Sequence, residues 1–231
     1  MEYGQFCPVA KASEILGEKW TILIIRELLM GSTRFSQLQR GLGHISPTIL
    51  TKRLAMLDKG GLVFRKQIPG QRGHEYHPTD SCKDLLPIVL SIGDWGLRWA
   101  KDNLKDSDYD VELLMLYLER SIVPSRLPGN QTVIRFHFSD IKDQPAWWIT
   151  VTGHGVDICN IDPGQDVDVY FETTVKTMTD VWMGLISYRK AIADENLLVT
   201  GPRALTRNIS AWLGNCIFAD LPAANEILGI S

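Results

Sequence analysis

Apolar residues return every three or four positions along the first hundred residues, then every second position from Gln131 onward. The first spacing lines one face of a helix and the second one face of a strand, so helices lead and a sheet follows. Pro8 opens a short helix that Gly17 ends, and residues 19–30 (KWTILIIRELLM) predict a largely buried helix closed by Gly31. Residues 35–42 form a third, with Phe35, Leu38 and Leu42 on one side. The fourth is the most informative. Ser46 is a good N-cap and Pro47 a good first residue, and Leu50, Leu54 and Leu57 share one face. The opposite face carries Thr48, Thr51, Lys52 and Ala55, and Gly60-Gly61 stops the helix. Residues 62–68 and 74–78 predict two short strands, joined by the basic turn Pro69-Gly70-Gln71-Arg72-Gly73. Thr79-Asp80 can cap one long helix reaching about residue 101. Its apolar positions (Leu85, Leu86, Val89, Ile92, Trp95, Leu97, Trp99) exceed what one small domain buries, which implies a partner subunit.

Residues 102–130 read as an acidic linker, a short amphipathic helix and a Pro/Gly-rich turn. Beyond them Ile134, Phe136 and Phe138 alternate with Arg135 and His137, and Trp147, Ile149 and Val151 with Trp148, Thr150 and Thr152. Val167, Val169 and Phe171 alternate with Asp166, Asp168 and Tyr170, where the paired acids keep a strand edge soluble. These are half-buried strands of an antiparallel sheet. A strand over 156–161, helices over 177–187 and 188–194, a strand over 197–200 and a closing helix over 204–218 complete the pattern. The fold class is α+β: an N-terminal winged helix-turn-helix followed by an antiparallel sheet covered by helices. The domains expected are residues 1–104, a linker and connecting helix over 105–130, and residues 131–231.

Charge divides the chain along the same line. The 231 residues are formally −3, yet residues 1–105 hold 15 basic and 10 acidic side chains (+5), and residues 106–231 hold 9 and 17 (−8). Residues 34–66 alone carry seven Lys or Arg and one acid. A cationic face is the sequence-independent part of binding nucleic acid, and it falls where a helix-turn-helix puts its reading helix. Hydroxyls, one small side chain and one cation let a helix lie in a major groove. Thr48, Thr51 and Lys52 are therefore expected to approach bases, with Ser46 at their helix start. Arg34, Ser36, Arg53, Arg65, Lys66 and Arg72 are expected to hold phosphates, the last three from the hairpin. The partners expected are double-stranded DNA and a second copy of the chain, with half-sites about one helical turn apart.

Other chemistry is missing from the sequence. The start MEYGQFCPVAK is not a signal peptide, and the longest apolar run, residues 85–90, is too short to span a membrane. Four widely spaced cysteines without a C-x-x-C pair suit a cytoplasmic protein with thiols. No phosphate-binding loop, dinucleotide fingerprint, H-E-x-x-H or nucleophile elbow occurs, so no enzyme and no cofactor are expected. His74 and His77 point to opposite strand faces and make no metal pair. Cys7, next to Pro8, sits at a helix start where the positive end favours a thiolate, which makes it a redox-sensing candidate. Alternatively it is a small apolar side chain under the first helix.

Cys7-Pro8, Lys19-Trp20, the Arg-Phe-Ser-x-Leu run from Arg34 and the Ile-Ser-x-x-x-Leu-x-x-Arg-Leu run from Ile45 come in order with one family's spacing. Residues 7–99 thus resemble the HxlR-type winged-helix regulators, relatives of the MarR class. The resemblance implies a dimeric bacterial transcription factor docking one recognition helix per half-site, and a cysteine at the place of Cys7 that senses oxidants in several members. The chain departs where the family's Leu-Thr-x-x-Gly is Pro78-Thr79-Asp80-Ser81-Cys82. Residues 120–220 resemble the sterol carrier protein type of lipid-binding domain, on the helix, short helix, strand-Gly-x-x-x-Leu-helix order. Ser187 and Asn196 stand where that pattern has glycine. This second resemblance implies an apolar tunnel, and Phe136, Trp147, Ile149, Phe171, Trp182, Ile186 and Trp212 are its candidate lining. The same residues can equally be ordinary core. The second domain then serves either as a site for a hydrophobic small-molecule effector or as a dimer-stabilising module. The alternative to a regulator is a carrier of lipophilic ligands whose winged helix is an interaction module.

Overall fold

The computed structural model describes residues 2–70, 73–100 and 103–220. The chain divides into two compact units, Met1–Trp95 and Gly96–Ser231. The first opens with α1 (Pro8–Leu16), α2 (Thr21–Leu29), α3 (Phe35–Gly41) and α4 (Pro47–Lys59), then the hairpin β1 (Val63–Gln67) and β2 (His74–Pro78). Its core is aliphatic. Ile24, Ile25 and Leu28 of α2 meet Leu38 of α3 and Leu50, Leu54 and Leu57 of α4, as the helical spacing of these residues requires.

Helix α2 starts two residues later than its apolar run, because Trp20 takes a left-handed φ of 79° and turns the chain sharply before Thr21. Glu27, in the middle of that helix, is completely buried. Its carboxylate accepts from Arg26 Nη2 at 2.9 Å and from the Ser32 hydroxyl at 3.3 Å. Arg26 Nη2 also donates to the carbonyl of Gly41 at 2.9 Å, which ties α2 to the end of α3.

The single long helix expected after the hairpin is in fact two, α5 (Asp80–Lys83) and α6 (Leu86–Trp99). Thr79 does cap the first, its hydroxyl accepting from Cys82 N. Pro87 accounts for the break, since it has no N–H to give and its ring collides with the carbonyl four residues earlier. No residue of α6 is buried. Ile88, Ile92, Trp95 and Trp99, at i, i+4, i+7 and i+11, form an exposed apolar stripe along it.

In the second unit, α7 (Val111–Ser121) precedes β3 (Gln131–Phe138), β4 (Ala146–Thr152), β5 (Gly155–Cys159) and β6 (Val169–Thr173). Then come α8 (Val175–Trp182), α9 (Tyr188–Ala193), β7 (Leu197–Thr200) and α10 (Arg203–Thr206). Helix α7, read from sequence as a connector, instead buries Leu114, Met115 and Leu118 in the same core as the sheet. The strands lie in the order β5-β4-β3-β6-β7, and β3 pairs with β6 in parallel. The sheet is mixed where an antiparallel one was expected. A period of two reports which face a side chain takes and is silent on strand direction. Asp168 helps set this pairing. Its N–H donates to Val133 O at 2.8 Å and its carboxylate accepts from Val133 N at 2.8 Å, so it extends the β3–β6 ladder instead of merely solvating an edge.

The closing helix expected over 204–218 is reduced to α10 and a short 3-10 turn, Ile209–Ala211. The groups a helix would use are committed elsewhere. The Trp212 indole donates to Leu205 O at 3.0 Å, Trp212 O accepts from Val123 N at 2.8 Å, and Gly214 N donates to Ser121 O at 3.0 Å. Burial of Trp212 and Leu213 goes with these contacts.

Candidate nucleic-acid interface

Helices α3 and α4 and the hairpin present the cationic part of the chain. Ser46 caps α4, its hydroxyl accepting from Ile49 N at 3.3 Å, and Pro47 occupies the first turn, where a missing N–H costs nothing. Leu50, Leu54 and Leu57 hold one side of α4 in the core, and Thr48, Thr51, Lys52 and Ala55 lie exposed on the other. The outer side of this helix is therefore short, hydroxylated and positive, a shape that fits a groove between phosphate walls. Periodicity alone assigned Ile49 and Met56 to neither face, yet both are exposed beside these residues.

Arg53 belongs elsewhere. Only 15% exposed, its guanidinium pairs with Glu18 at 2.7 Å and donates to Lys19 O at 3.0 Å. It clamps α4 to the corner before α2, which commits to partners within the protein a guanidinium that the sequence offered to phosphate. Arg53 stands three residues after Leu50 and four before Leu57, on the flank of the buried face, and this spacing is the signal that could have shown it.

Arg34 precedes α3, is exposed, and has its Nε 3.9 Å from a Glu75 carboxylate oxygen on β2. The backbone bridges Arg34 to Glu75 as well, and Tyr76 N donates to Thr33 O at 2.8 Å, so the wing is joined to the start of α3. Ser36, in the first turn of α3, is exposed. On the wing, Arg65 pairs with Asp58 of α4 at 2.8 Å while remaining largely exposed, and Lys66 is exposed next to it. These two adjacent residues point to opposite faces of the ribbon. Arg72 lies outside the described residues. Cys7 occupies the N-cap of α1, half-buried, and its carbonyl accepts from Lys11 N at 3.1 Å. Burial pushes the thiols of Cys82 and Cys216 up and away from thiolate.

The expected tunnel lining belongs to, or packs against, one hydrophobic core. Phe136 and Phe171 stack with ring centres 4.7 Å apart, Trp212 meets Phe171 edge-on at 6.1 Å, and Trp147 and Ile149 join the same cluster. Trp182 stacks on Tyr117 at 4.6 Å and donates its indole N–H to the Ser121 hydroxyl at 2.9 Å. Ile186 borders a groove of about 640 Å3 shared with Tyr188, Ile192, Arg207, Ile209 and Asn215. The aromatic side chains of the strands alternate as the sequence requires and pack against one another. Burial raises the Tyr188 hydroxyl's pKa further above its ordinary value, so it stays neutral at physiological pH.

Among the described residues no helix is long and apolar enough to cross a membrane. Residues 15–104 match the HxlR-like helix-turn-helix family. The chain is 37% identical over 108 residues to the uncharacterized HTH-type transcriptional regulator YvaP of Bacillus subtilis strain 168, covering 46% of this chain and 100% of that one. It is 42% identical over 89 residues to the uncharacterized HTH-type transcriptional regulator Mb3122 of Mycobacterium bovis, covering 38% of this chain and 56% of that one. Among solved structures, the redox regulator HypR in its reduced form is 30% identical and covers 39% of this chain and 90% of that one, with a TM-score of 0.37. The exposed polar side of a capped α4, its leucine backing and the attached hairpin thus coincide with the matched segment, and the chain belongs to the HxlR-like helix-turn-helix family.

Proposed function

We propose that this helix-turn-helix transcriptional regulator works in the bacterial cytoplasm as a homodimer, laying α4 of each subunit into one major groove of a pseudo-palindromic site. The observation that carries the reading is the two-sided character of α4, leucines inward and Thr48, Thr51 and Lys52 outward. Arg34, Ser36, Arg65 and Lys66, with Arg72 on the wing turn, supply phosphate contacts around it. The exposed stripe of α6 supports the dimer, since four large apolar side chains in line along one helix are what a symmetric partner buries.

Salt dependence tests the DNA contact. Wild type should show a steep fall of affinity with rising salt, and Lys52→Ala, which removes one cation from each subunit, should make the log–log slope of the dimer shallower by about two while weakening binding. A slope unchanged by that substitution removes Lys52 from the interface. Cys7 is the proposed redox site, on its position at the N-cap of α1. Mild oxidation should release wild type from its operator and leave Cys7→Ser bound, and equal release of both ends that assignment.

The second unit is proposed as an effector or dimer-stabilising module. Its aromatic side chains pack against one another, so the effector reading rests on the groove beside Ile186. Native mass spectrometry of freshly purified protein reads this directly: a lipophile of defined mass supports an effector, and bare dimer supports the structural role. The carrier alternative has the same groove as its support. It requires tight lipid binding together with DNA affinity that has no sequence preference.

A further inference from the structure

One apolar side chain on the outward side of α4 is used by neither the core nor the cationic surface. Ile49, the third residue of α4, is 40% exposed, although isoleucine is among the residues most often buried. The next residue, Leu50, is fully buried, and Ile49 lies one turn before Lys52 and beside Thr48 on the polar side. Its N–H is held by the Ser46 hydroxyl at 3.3 Å, and a β-branched side chain inside a helix keeps essentially one χ1 rotamer. Two methyl-bearing branches therefore stand in a set direction in the first turn, the part of a recognition helix that meets base edges. Among bases in the major groove, only thymine presents an apolar group, its C5-methyl.

We infer that Ile49 is a specificity-determining residue that reads a thymine in each half-site through contact with that methyl. The inference rests on the placement of α4 in the major groove proposed above. Lys52 offers only an ammonium, and Thr48 and Thr51 each pair one methyl with a hydroxyl that recognises acceptors and donors. Ile49 alone of these four offers nothing but apolar carbon. At the same position a cytosine replaces the methyl with hydrogen and brings an amino donor that isoleucine leaves unpaired.

The test uses fragments selected by the full-length wild-type protein from a random library. Each thymine is then replaced in turn by deoxyuridine, which removes the methyl and leaves every hydrogen-bonding group. One thymine per half-site should stand out, its replacement weakening wild-type binding about threefold to fivefold, the worth of one buried methyl. Ile49→Ala should lose that dependence while keeping the wild-type salt slope and melting temperature, and Ile49→Val should retain it. Deoxyuridine without effect at every position, with selective and salt-sensitive binding intact, overturns the role of Ile49 and spares that of α4. A change of oligomeric state in Ile49→Ala, with selectivity unaltered, also overturns it. Failure of wild type to select any fragment defeats both.

Discussion

Gly41→Ala is expected to destabilise the N-terminal unit by about 2–3 kcal/mol, the cost of forcing a methyl into a filled interior. A Cβ at this last residue of α3 would overlap the carboxylate of Glu27. That carboxylate is fully buried and cannot swing into solvent, and its oxygens are already engaged by Arg26 and Ser32. The added methyl must either pull Glu27 from these donors, leaving a buried charge under-satisfied, or push α3 off α2 and open the site of Leu38. Gly41 is not in the left-handed region, so alanine adds no φ strain there, and the roughly 0.4–1 kcal/mol it returns by restricting the unfolded chain only partly offsets the steric cost. Amide hydrogen exchange on peptides from α2 and α3 measures it without interference from the second unit. Exchange should rise roughly thirtyfold or more, since each 1.4 kcal/mol is a factor of ten. Protection within twofold of wild type would show that the Glu27 pocket yields easily.

Trp95→Glu should convert the protein to a monomer and weaken binding to a two-half-site operator by about a hundredfold or more, the usual gain from linking two sites. Trp95 is the most exposed member of the α6 stripe at 61%, with Ile92 and Trp99 as its neighbours along the helix. A carboxylate among apolar side chains at a two-fold interface is duplicated by the symmetry, so two like charges lose water and face each other. In the isolated subunit the change is mild, because the position faces solvent and glutamate is a good helix former. Sedimentation at micromolar concentration separates the two effects. A dimer with unaltered operator affinity would mean that another surface joins the subunits.

Much of the first unit was legible because its determinants are local. Ser46, Pro47 and the Leu50, Leu54, Leu57 series specify α4 by neighbours within a few residues, and Gly70 and Gly73 mark the wing turn in the same way. The strands of the second unit were readable for the same reason, as alternation is a property of consecutive residues. Where the sequence reading failed, distant partners decided. The parallel pairing of β3 with β6 depends on Asp168 meeting Val133, and the loss of the closing helix depends on Trp212 and Gly214 bonding to residues 121–123 and 205. Arg53 looked like a phosphate ligand because its charge is local information, while Glu18 and Lys19, its actual partners, lie more than thirty residues earlier. The seven tunnel candidates show the same limit: alternation told which strand side chains face inward, and only packing told that they share one core. By itself, then, the sequence determined the first four helices, the wing strands and the polar outer side of α4. Tertiary structure decided strand direction, the fate of residues 204–218, the clamp at Arg53 and the exposure of Ile49, since each is set by contacts that no short window of residues contains.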